Sequence, residues 1–389
     1  MSIAVIGAGP YGLSIAATLR ARDVPCRLFG RPMETWRTAM PEGMHLKSYG
    51  FASNLFASTP DGTLGEFCRS HDIAYDDERI LVKLDTFIKY GLDFQARYAP
   101  DIDQRDVVAL KRRGRQFELT LEDETVVTVD TVILAVGVTH FAHVPPMLSA
   151  LPPSKLVHSS AVSHASHLAG KDVTVVGAGS SAVDLAALLT RSGARTRLLA
   201  RGDAIRFDDA PSKPSFWRQI RHPRSGLGPG LRSWLYCRFP GAYRLAPSSM
   251  RLAILRRHLG PRSQYHLREV MERDVAVVLR HQIVHAEEID GKVSLTCRDG
   301  DDRSVTIRTD QVIAATGYRV SCERLSFIDS DLKSAIRTVG GYPLLSSCFE
   351  SSAPGLYFVG LAAAGSFGPL MRFVYGAEYA ARKLSARFA

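Results

Sequence analysis

Apolar residues fall into two closely similar arrangements along the chain. The first is a β-branched run at residues 2–6, a turn Gly7-Ala8-Gly9-Pro10-Tyr11-Gly12, and residues 13–22 with Leu13, Ala16, Ala17 and Leu19 at helical spacing. The second repeats it: an apolar run at 173–176, a turn Gly177-Ala178-Gly179-Ser180-Ser181-Ala182, and an apolar helical stretch at 183–190. Each predicts strand, turn and helix, and each is followed by a further strand, at 26–29 and at 196–200. Later in each half a buried-strand pattern ends on glycine, TVILAVG at Gly137 and QVIAATGY at Gly317. The last apolar run closes at Gly360, and a C-terminal helix is expected from about Leu370 to Leu384.

Glycine at these spacings has a physical purpose. The first permits a tight turn, the second lets the backbone approach a pyrophosphate, and the third lets the helix pack closely on the strand. The phosphates then meet free N–H groups at a helix N-terminus. Two such turns predict two dinucleotides. After the second turn the strand ends at Arg201, a cation suited to a 2′-phosphate, so NADPH is expected over NADH. After the first, Gly30 stands where an acidic residue would hold ribose hydroxyls, leaving the backbone or Arg31 to do so.

Length and charge narrow the reading. At 389 residues and 46% hydrophobic, the chain is long enough for two packed domains. Its six cysteines form no CxxC pair and no metal-ligand cluster, so disulfides, structural zinc and a dithiol relay from flavin are not expected. No run approaches the roughly 18 consecutive apolar residues of a membrane-spanning helix, and the chain opens directly on a strand, so it is expected to be cytoplasmic. Residues 204–273 hold thirteen Arg and one Lys against two Asp and two Glu, the whole of the net +10. No nucleic-acid module accompanies this basic segment, so no nucleic-acid partner is expected. Its aromatic residues Trp217, Trp234, Tyr236, Phe239 and Tyr243 predict a helical insertion. That insertion is either an elaboration of the second domain, a cap over the active site, or a surface for a protein or a membrane.

These motifs give the chain a family likeness. GAGPYG (7–12), WRTAMPEGMHLKS (36–48), His158-Ser159, GAGSSAVDLA (177–186), ATGY (315–318) and GLYFVGL (355–361) resemble the two-dinucleotide flavoprotein superfamily. Within it the chain is similar to flavin-containing monooxygenases and the lysine and ornithine N-hydroxylases. The resemblance implies an α/β fold of two Rossmann-like domains. An NADPH domain, residues 161–319, would be inserted in a discontinuous FAD domain, residues 1–160 and 320–389. Residues 151–157 lack the Phe and Gly of the monooxygenase fingerprint and no Trp-Pro pair follows, so a Baeyer–Villiger enzyme is not expected.

The resemblance also implies a chemistry. Hydride passes from NADPH to FAD, dioxygen forms a hydroperoxide at flavin carbon 4a, and oxygen passes to a nitrogen or sulfur nucleophile on a small-molecule substrate. The cofactor carries that chemistry, so the protein supplies positioning and a dry cavity. Trp36 is a candidate to lie along the flavin, and Lys47 and Asn54 are candidates near flavin and nicotinamide. Gly368 and Leu370 belong to a turn before the last helix, whose dipole would face the reduced flavin, with Ser366 as an ordinary cap in the alternative reading. His45 and His158 read as structural, and no metal is expected. Two other functions stay open at this point, an NADPH-dependent flavin reductase or oxidase without oxygen transfer, and a redox-responsive flavin-binding regulator. Oligomeric state is not legible.

Overall fold

The computed structural model describes residues 1–209, 223–258 and 262–389. Strand β1 (Ile3–Ile6) is buried along its whole length. It runs parallel to β2 (Cys26–Phe29) on one side and β7 (Thr131–Leu134) on the other. Helix α1 (Pro10–Arg20) makes the crossover from β1 to β2. With β3 (Ile102–Asp103) and β18 (Leu356–Phe358) these strands form a five-stranded parallel sheet in the order β18-β7-β1-β2-β3. Short helices α2 (Glu34–Thr38) and α3 (Leu64–Ser70) and the longer α4 (Leu84–Tyr98) follow β2. An antiparallel meander, β4 (Val107–Arg113), β5 (Gln116–Leu121) and β6 (Val126–Val129), then leads into β7.

The second half repeats this plan. Strands β8 (Leu156–His158), β9 (Asp172–Val176), β10 (Arg195–Leu199), β11 (Ala276–Val278) and β15 (Gln311–Ala314) form a second parallel sheet, ordered β11-β10-β9-β15-β8. Helix α5 (Ser180–Arg191) links β9 to β10. A second meander, β12 (Gln282–Ile289), β13 (Lys292–Arg298) and β14 (Ser304–Thr309), leads into β15. The expected boundary at residue 160 is corrected here. β8 pairs in register with β15, and Leu148 and Leu151 pack in the second domain's core, so the chain leaves the first domain near His143. There the two crossings pair, with His143 N–H donating to the Gly317 carbonyl at 2.9 Å. The helices also begin earlier than expected, at Pro10 and Ser180, so the last residues of each glycine motif already form the first helical turn.

Among its described residues the basic insertion contains α6 (Leu231–Arg238), a 3-10 turn Pro240–Leu245, α7 (Ser248–Arg257) and α8 (Arg268–Arg273), joined by non-helical stretches. Trp217 lies outside the described residues. The insertion is not simply an addition to the second domain. Leu227, Tyr243 and Leu255 are buried in the first domain's core. A β-carbon at Gly226 would lie 2.1 Å from the Tyr375 ring, and one at Gly368 3.0 Å from that of Tyr243. Arg251 donates to the Gly365 carbonyl at 3.0 Å and Arg244 to that of Leu345 at 3.2 Å, while Arg224 pairs with Glu78. Glycine at both contact points lets aromatic rings sit directly on backbone.

The C-terminal segment also differs from expectation. After α9 (Ser330–Ser334) come a hairpin, β16 (Thr338–Val339) and β17 (Tyr342–Pro343), then β18 and α10 (Ala364–Phe367). A 3-10 turn Pro369–Arg372 precedes α11 (Gly376–Phe388), so the last helix starts six residues later than expected. Ser366 caps no helix: its hydroxyl accepts from Leu345 N–H at 3.2 Å, tying α10 to the hairpin. Ala377, Ala380 and Ala381 on α11 are buried, as are Gly12, Ala16 and Ala17 on α1; small residues on both let the two helices pack closely.

Candidate dinucleotide cleft

In each sheet the strand order reverses beside the first strand of the half, at β1/β7 and at β9/β15, the places where open α/β sheets bind ligands. Gly7 (φ +108°) leaves β1 and donates to the Phe29 carbonyl at 2.8 Å. Gly177 (φ +142°) leaves β9 and donates to the Leu199 carbonyl at 2.9 Å. A β-carbon at Gly7 would lie 2.4 Å from the Ala135 carbonyl oxygen, and one at Gly177 the same 2.4 Å from that of Ala315. A β-carbon at Gly12 would collide with the Gly7 carbonyl oxygen at 1.8 Å. These three positions are therefore glycine for reasons internal to the fold.

Gly9 differs. A β-carbon there would meet nothing within 4 Å, so the protein itself leaves that space empty. Gly9 caps α1 without any side-chain hydrogen bond, no acidic residue occupies the first turn, and the first helical bond runs from Leu13 N–H to the Gly9 carbonyl. The N–H groups of Tyr11 and Gly12 have no partner within the helix. An open cradle facing free donors fits a pyrophosphate. Gly179 caps α5 in the same extended conformation, again with no side-chain cap or acidic residue, leaving the N–H groups of Ser180 and Ser181 without helical partners. The Tyr11 hydroxyl donates to the Phe373 carbonyl at 2.9 Å, and a β-carbon at Gly360 (φ +63°) would lie 3.6 Å from its ring, so the C-terminal segment closes over the first turn. Gly137 (φ +70°) and Gly317 (φ +77°) take left-handed turns just past the neighbouring strands, and Leu370 is buried in the closing 3-10 turn.

Arg31 is committed elsewhere. Its guanidinium binds Asp106 and lies 3.0 Å from Glu122, bracing the meander against the end of β2. Trp36 is half-buried, its ring edge-on to Phe87 at 4.6 Å between centroids. Asn54 donates to the Phe51 carbonyl at 3.1 Å and accepts from Leu64 N–H at 2.8 Å. Its amide thus shapes a loop beside a cavity of about 210 Å³ that Phe56, Tyr375 and Glu378 also line. His158 accepts from Ser160 N–H through Nδ1 at 3.2 Å and donates through Nε2 to the Gly317 carbonyl at 3.1 Å, a structural tie at the domain crossing. Burial lowers its basicity. Among the described residues no cluster of three metal-binding side chains exists.

Lys47 does reach the second turn, at the start of α5. Its ammonium and the Ser180 hydroxyl both donate, at 2.6 Å, to one acceptor, the Arg262 carbonyl. Gln264 Nε2 donates to the Leu46 carbonyl at 2.8 Å, so residues 262–264 clasp the 36–48 loop to the start of α5. Burial lowers the Lys47 pKa, and the carboxylates of Asp208 and Asp184 offset part of that. Asp184 belongs to the GAGSSAVDLA motif, residues 177–186. It lies one turn beyond Ser180 on the same helical face and is half-buried, and loss of water pushes its carboxyl up to about 7 against the pull of Lys47. Arg372 lies outside every motif of the sequence; its side chain is exposed, yet partial loss of water lowers its pKa, and its charge is felt at Lys47. The signal for Asp184 was its four-residue spacing from Ser180; for Arg372 there was none in the sequence. Arg201 follows β10, is exposed, and has no carboxylate within 4 Å among the described residues.

Each half thus presents an uncapped helix N-terminus behind a glycine turn, the arrangement found where α/β sheets take dinucleotide phosphates. The model of the pyridine nucleotide-disulphide oxidoreductase family matches residues 1–220, more than half of the chain, and the chain belongs to that family. It is accordingly an oxidoreductase working with FAD and a nicotinamide dinucleotide. No curated protein matches the sequence significantly. Among solved structures it is similar to the ornithine N-hydroxylase of Kutzneria sp. 744 with FADred, NADP+ and L-orn, at 15% identity and TM-score 0.76, covering 100% of this chain and 98% of that one. It is also similar to a flavin-containing monooxygenase from Stenotrophomonas maltophilia, at 17% identity and TM-score 0.67, covering 100% and 99%. The bacillithiol disulfide reductase of Staphylococcus aureus shares the fold as well, at 17% identity and TM-score 0.65, covering 99% and 97%. No helix among the described residues is long and apolar enough to cross a membrane.

Two outcomes follow from this geometry. Gly9→Ala is expected to keep the unfolding midpoint of the apoprotein within about 1 kcal/mol of the parent yet weaken flavin binding about tenfold or more. Gly12→Ala is expected to cost on the order of 3 kcal/mol in the same denaturant titration. Equal stability losses would refute the distinction between ligand space and packing contact. Asp184 ionises less readily in the folded chain than in the unfolded one, so its contribution to stability falls as pH rises from about 4 to about 7 and then stays low. Because the carboxyl keeps some water contact, Asp184→Asn is expected to gain about 1–2 kcal/mol at about pH 8 and nothing at about pH 4. A gain of the same size at both pH values would sink this account.

Proposed function

We propose that the protein is an NADPH-dependent FAD monooxygenase that transfers oxygen to a nitrogen or sulfur nucleophile of a small molecule. What supports the reading is that each half of the chain carries a glycine turn opening on a helix N-terminus with no side-chain cap and no acidic residue in its first turn, the arrangement that suits a dinucleotide phosphate. In this reading Gly7, Gly9, Pro10, Tyr11 and Gly12 hold FAD, with Gly137, Gly360, Gly368 and Leu370 lining its far end. Gly177, Gly179, Ser180, Ser181 and Arg201 hold NADPH, with Gly317 at the crossing. The bound flavin supplies hydride acceptance and oxygen activation. The chain supplies exclusion of water through Tyr243 and its neighbours, positive charge from Lys47 and Arg372, and a proton site on Asp184 that is half-titrated near neutrality.

Relay of electrons to a disulfide has less support. Burial pushes the thiols of Cys26, Cys297 and Cys322 up to about 11 and raises those of Cys68 and Cys237, so these five are protonated near neutrality and poor nucleophiles. All six cysteines are free.

The test follows NADPH consumption, oxygen uptake and peroxide release of the purified flavoprotein across a panel of amines and thioethers. Oxygen transfer predicts that an accepted nucleophile lowers peroxide yield and appears oxygenated. Peroxide released one for one with NADPH whatever nucleophile is offered would point to an oxidase, and flavin that NADPH cannot reduce would point to a regulator. Arg201→Ala is expected to raise the KM for NADPH about tenfold or more while leaving that for NADH nearly unchanged. Parallel changes for both nucleotides would remove the 2′-phosphate role.

A further inference from the structure

The insertion's inward face is accounted for by the first domain; its outward face is not. Leu231, Leu235 and Phe239 follow one another at four-residue spacing along α6 and its C-cap, and they remain 57%, 42% and 51% exposed. Leu245, in the next turn, is 88% exposed, and Met250, on α7, 56%. Large apolar side chains gathered on one short segment and left in water are uncommon on a soluble surface.

The charge around them has one sign. Between Asp209 and Glu269 the sequence holds eleven Arg and one Lys and no carboxylate at all. The arginines divide by direction. Arg224, Arg244 and Arg251 turn inward and bind Glu78 or backbone carbonyls of the first domain. Arg232, Arg238, Arg256 and Arg257 are exposed and have no carboxylate within 4 Å among the described residues. Arg238 lies 5.6 Å over the Phe239 ring, so cation and apolar ring share one spot. An acidic protein surface would satisfy the arginines but not five apolar side chains standing in water. Nucleic acid would leave the leucines idle. A bilayer with anionic headgroups satisfies both, with apolar side chains below the phosphates and arginines among them.

We propose that the outward face of residues 231–257 docks the protein peripherally on an anionic lipid surface. The apolar side chains of α6 and Leu245 enter the headgroup region and Arg232, Arg238, Arg256 and Arg257 engage lipid phosphates. This does not depend on which reaction the cleft performs.

The full-length, flavin-loaded protein is spun with vesicles of phosphatidylcholine mixed with phosphatidylglycerol and, separately, of phosphatidylcholine alone. Binding is expected to the mixed vesicles, about tenfold weaker to the neutral ones, and to weaken with salt. The double substitution Leu235→Glu with Phe239→Glu is expected to lower binding at least about tenfold while flavin content and NADPH oxidation stay as in the parent. Both residues are exposed and lie outside the cleft described above, so a folded variant is expected, and the flavin spectrum verifies it. The proposal fails if the parent ignores mixed vesicles at low salt. It fails equally if the variant binds as the parent does, since binding would then be charge alone. Displacement of the parent from vesicles by duplex DNA, with variant and parent binding that DNA alike, would mark a general polyanion surface and overturn the lipid assignment.

Discussion

Everything in this molecule rests on backbone running against backbone at two points. Gly7 and Gly177 each face an alanine carbonyl at a distance that no β-carbon tolerates, Ala135 in one half and Ala315 in the other. Because the first strand and the closing strand come that near, the chain must turn sharply, and the helix that follows starts with its unpaired N–H groups at the sheet's carboxyl edge. The phosphate cradle is a by-product of that geometry. Likeness to solved structures at 15% identity, over the whole chain, is understandable on these terms: the constraint falls on a few small residues and leaves most side chains free.

The second half of the design is how the two domains are tied together. At the crossing, His143 and His158 both bond the Gly317 carbonyl. Across the cleft, one backbone oxygen at Arg262 receives both Lys47 and Ser180, and Gln264 holds the Leu46 carbonyl. Pairing a first-domain ammonium and a second-domain hydroxyl on the same acceptor couples the domains without burying an ion pair, whose desolvation would be expensive. The insertion adds a third tie from above. It belongs to the second domain by sequence and to the first by packing, so it spans the cleft.

The same insertion explains the charge of the chain. Its arginines are not one population: some donate hydrogen bonds to backbone carbonyls of the first domain, and others remain in solvent beside leucine and phenylalanine. A tally of basic residues treats these alike. Only direction separates them, and direction depends on which face of α6 and α7 meets the core.

The local parts were legible in the sequence. Glycine spacing and apolar runs determined both strand-turn-helix units, the α/β class and the two dinucleotide turns, because these depend on contacts within some fifteen residues. Lys47 was reached through motif likeness, whereas Asp184 sat in a quoted motif without its role being visible. What the tertiary structure alone decided involves partners far apart in the chain. Arg31 meets Asp106 and Glu122, β8 joins β15 and shifts the boundary from residue 160 to near His143, the last helix starts at Gly376, where a β-carbon would meet Tyr11 and Leu370, and the insertion packs on the first domain. Local pattern fixes the conformations a segment can adopt; which distant surface buries it is set by the packing of the whole, and no window of sequence contains that information.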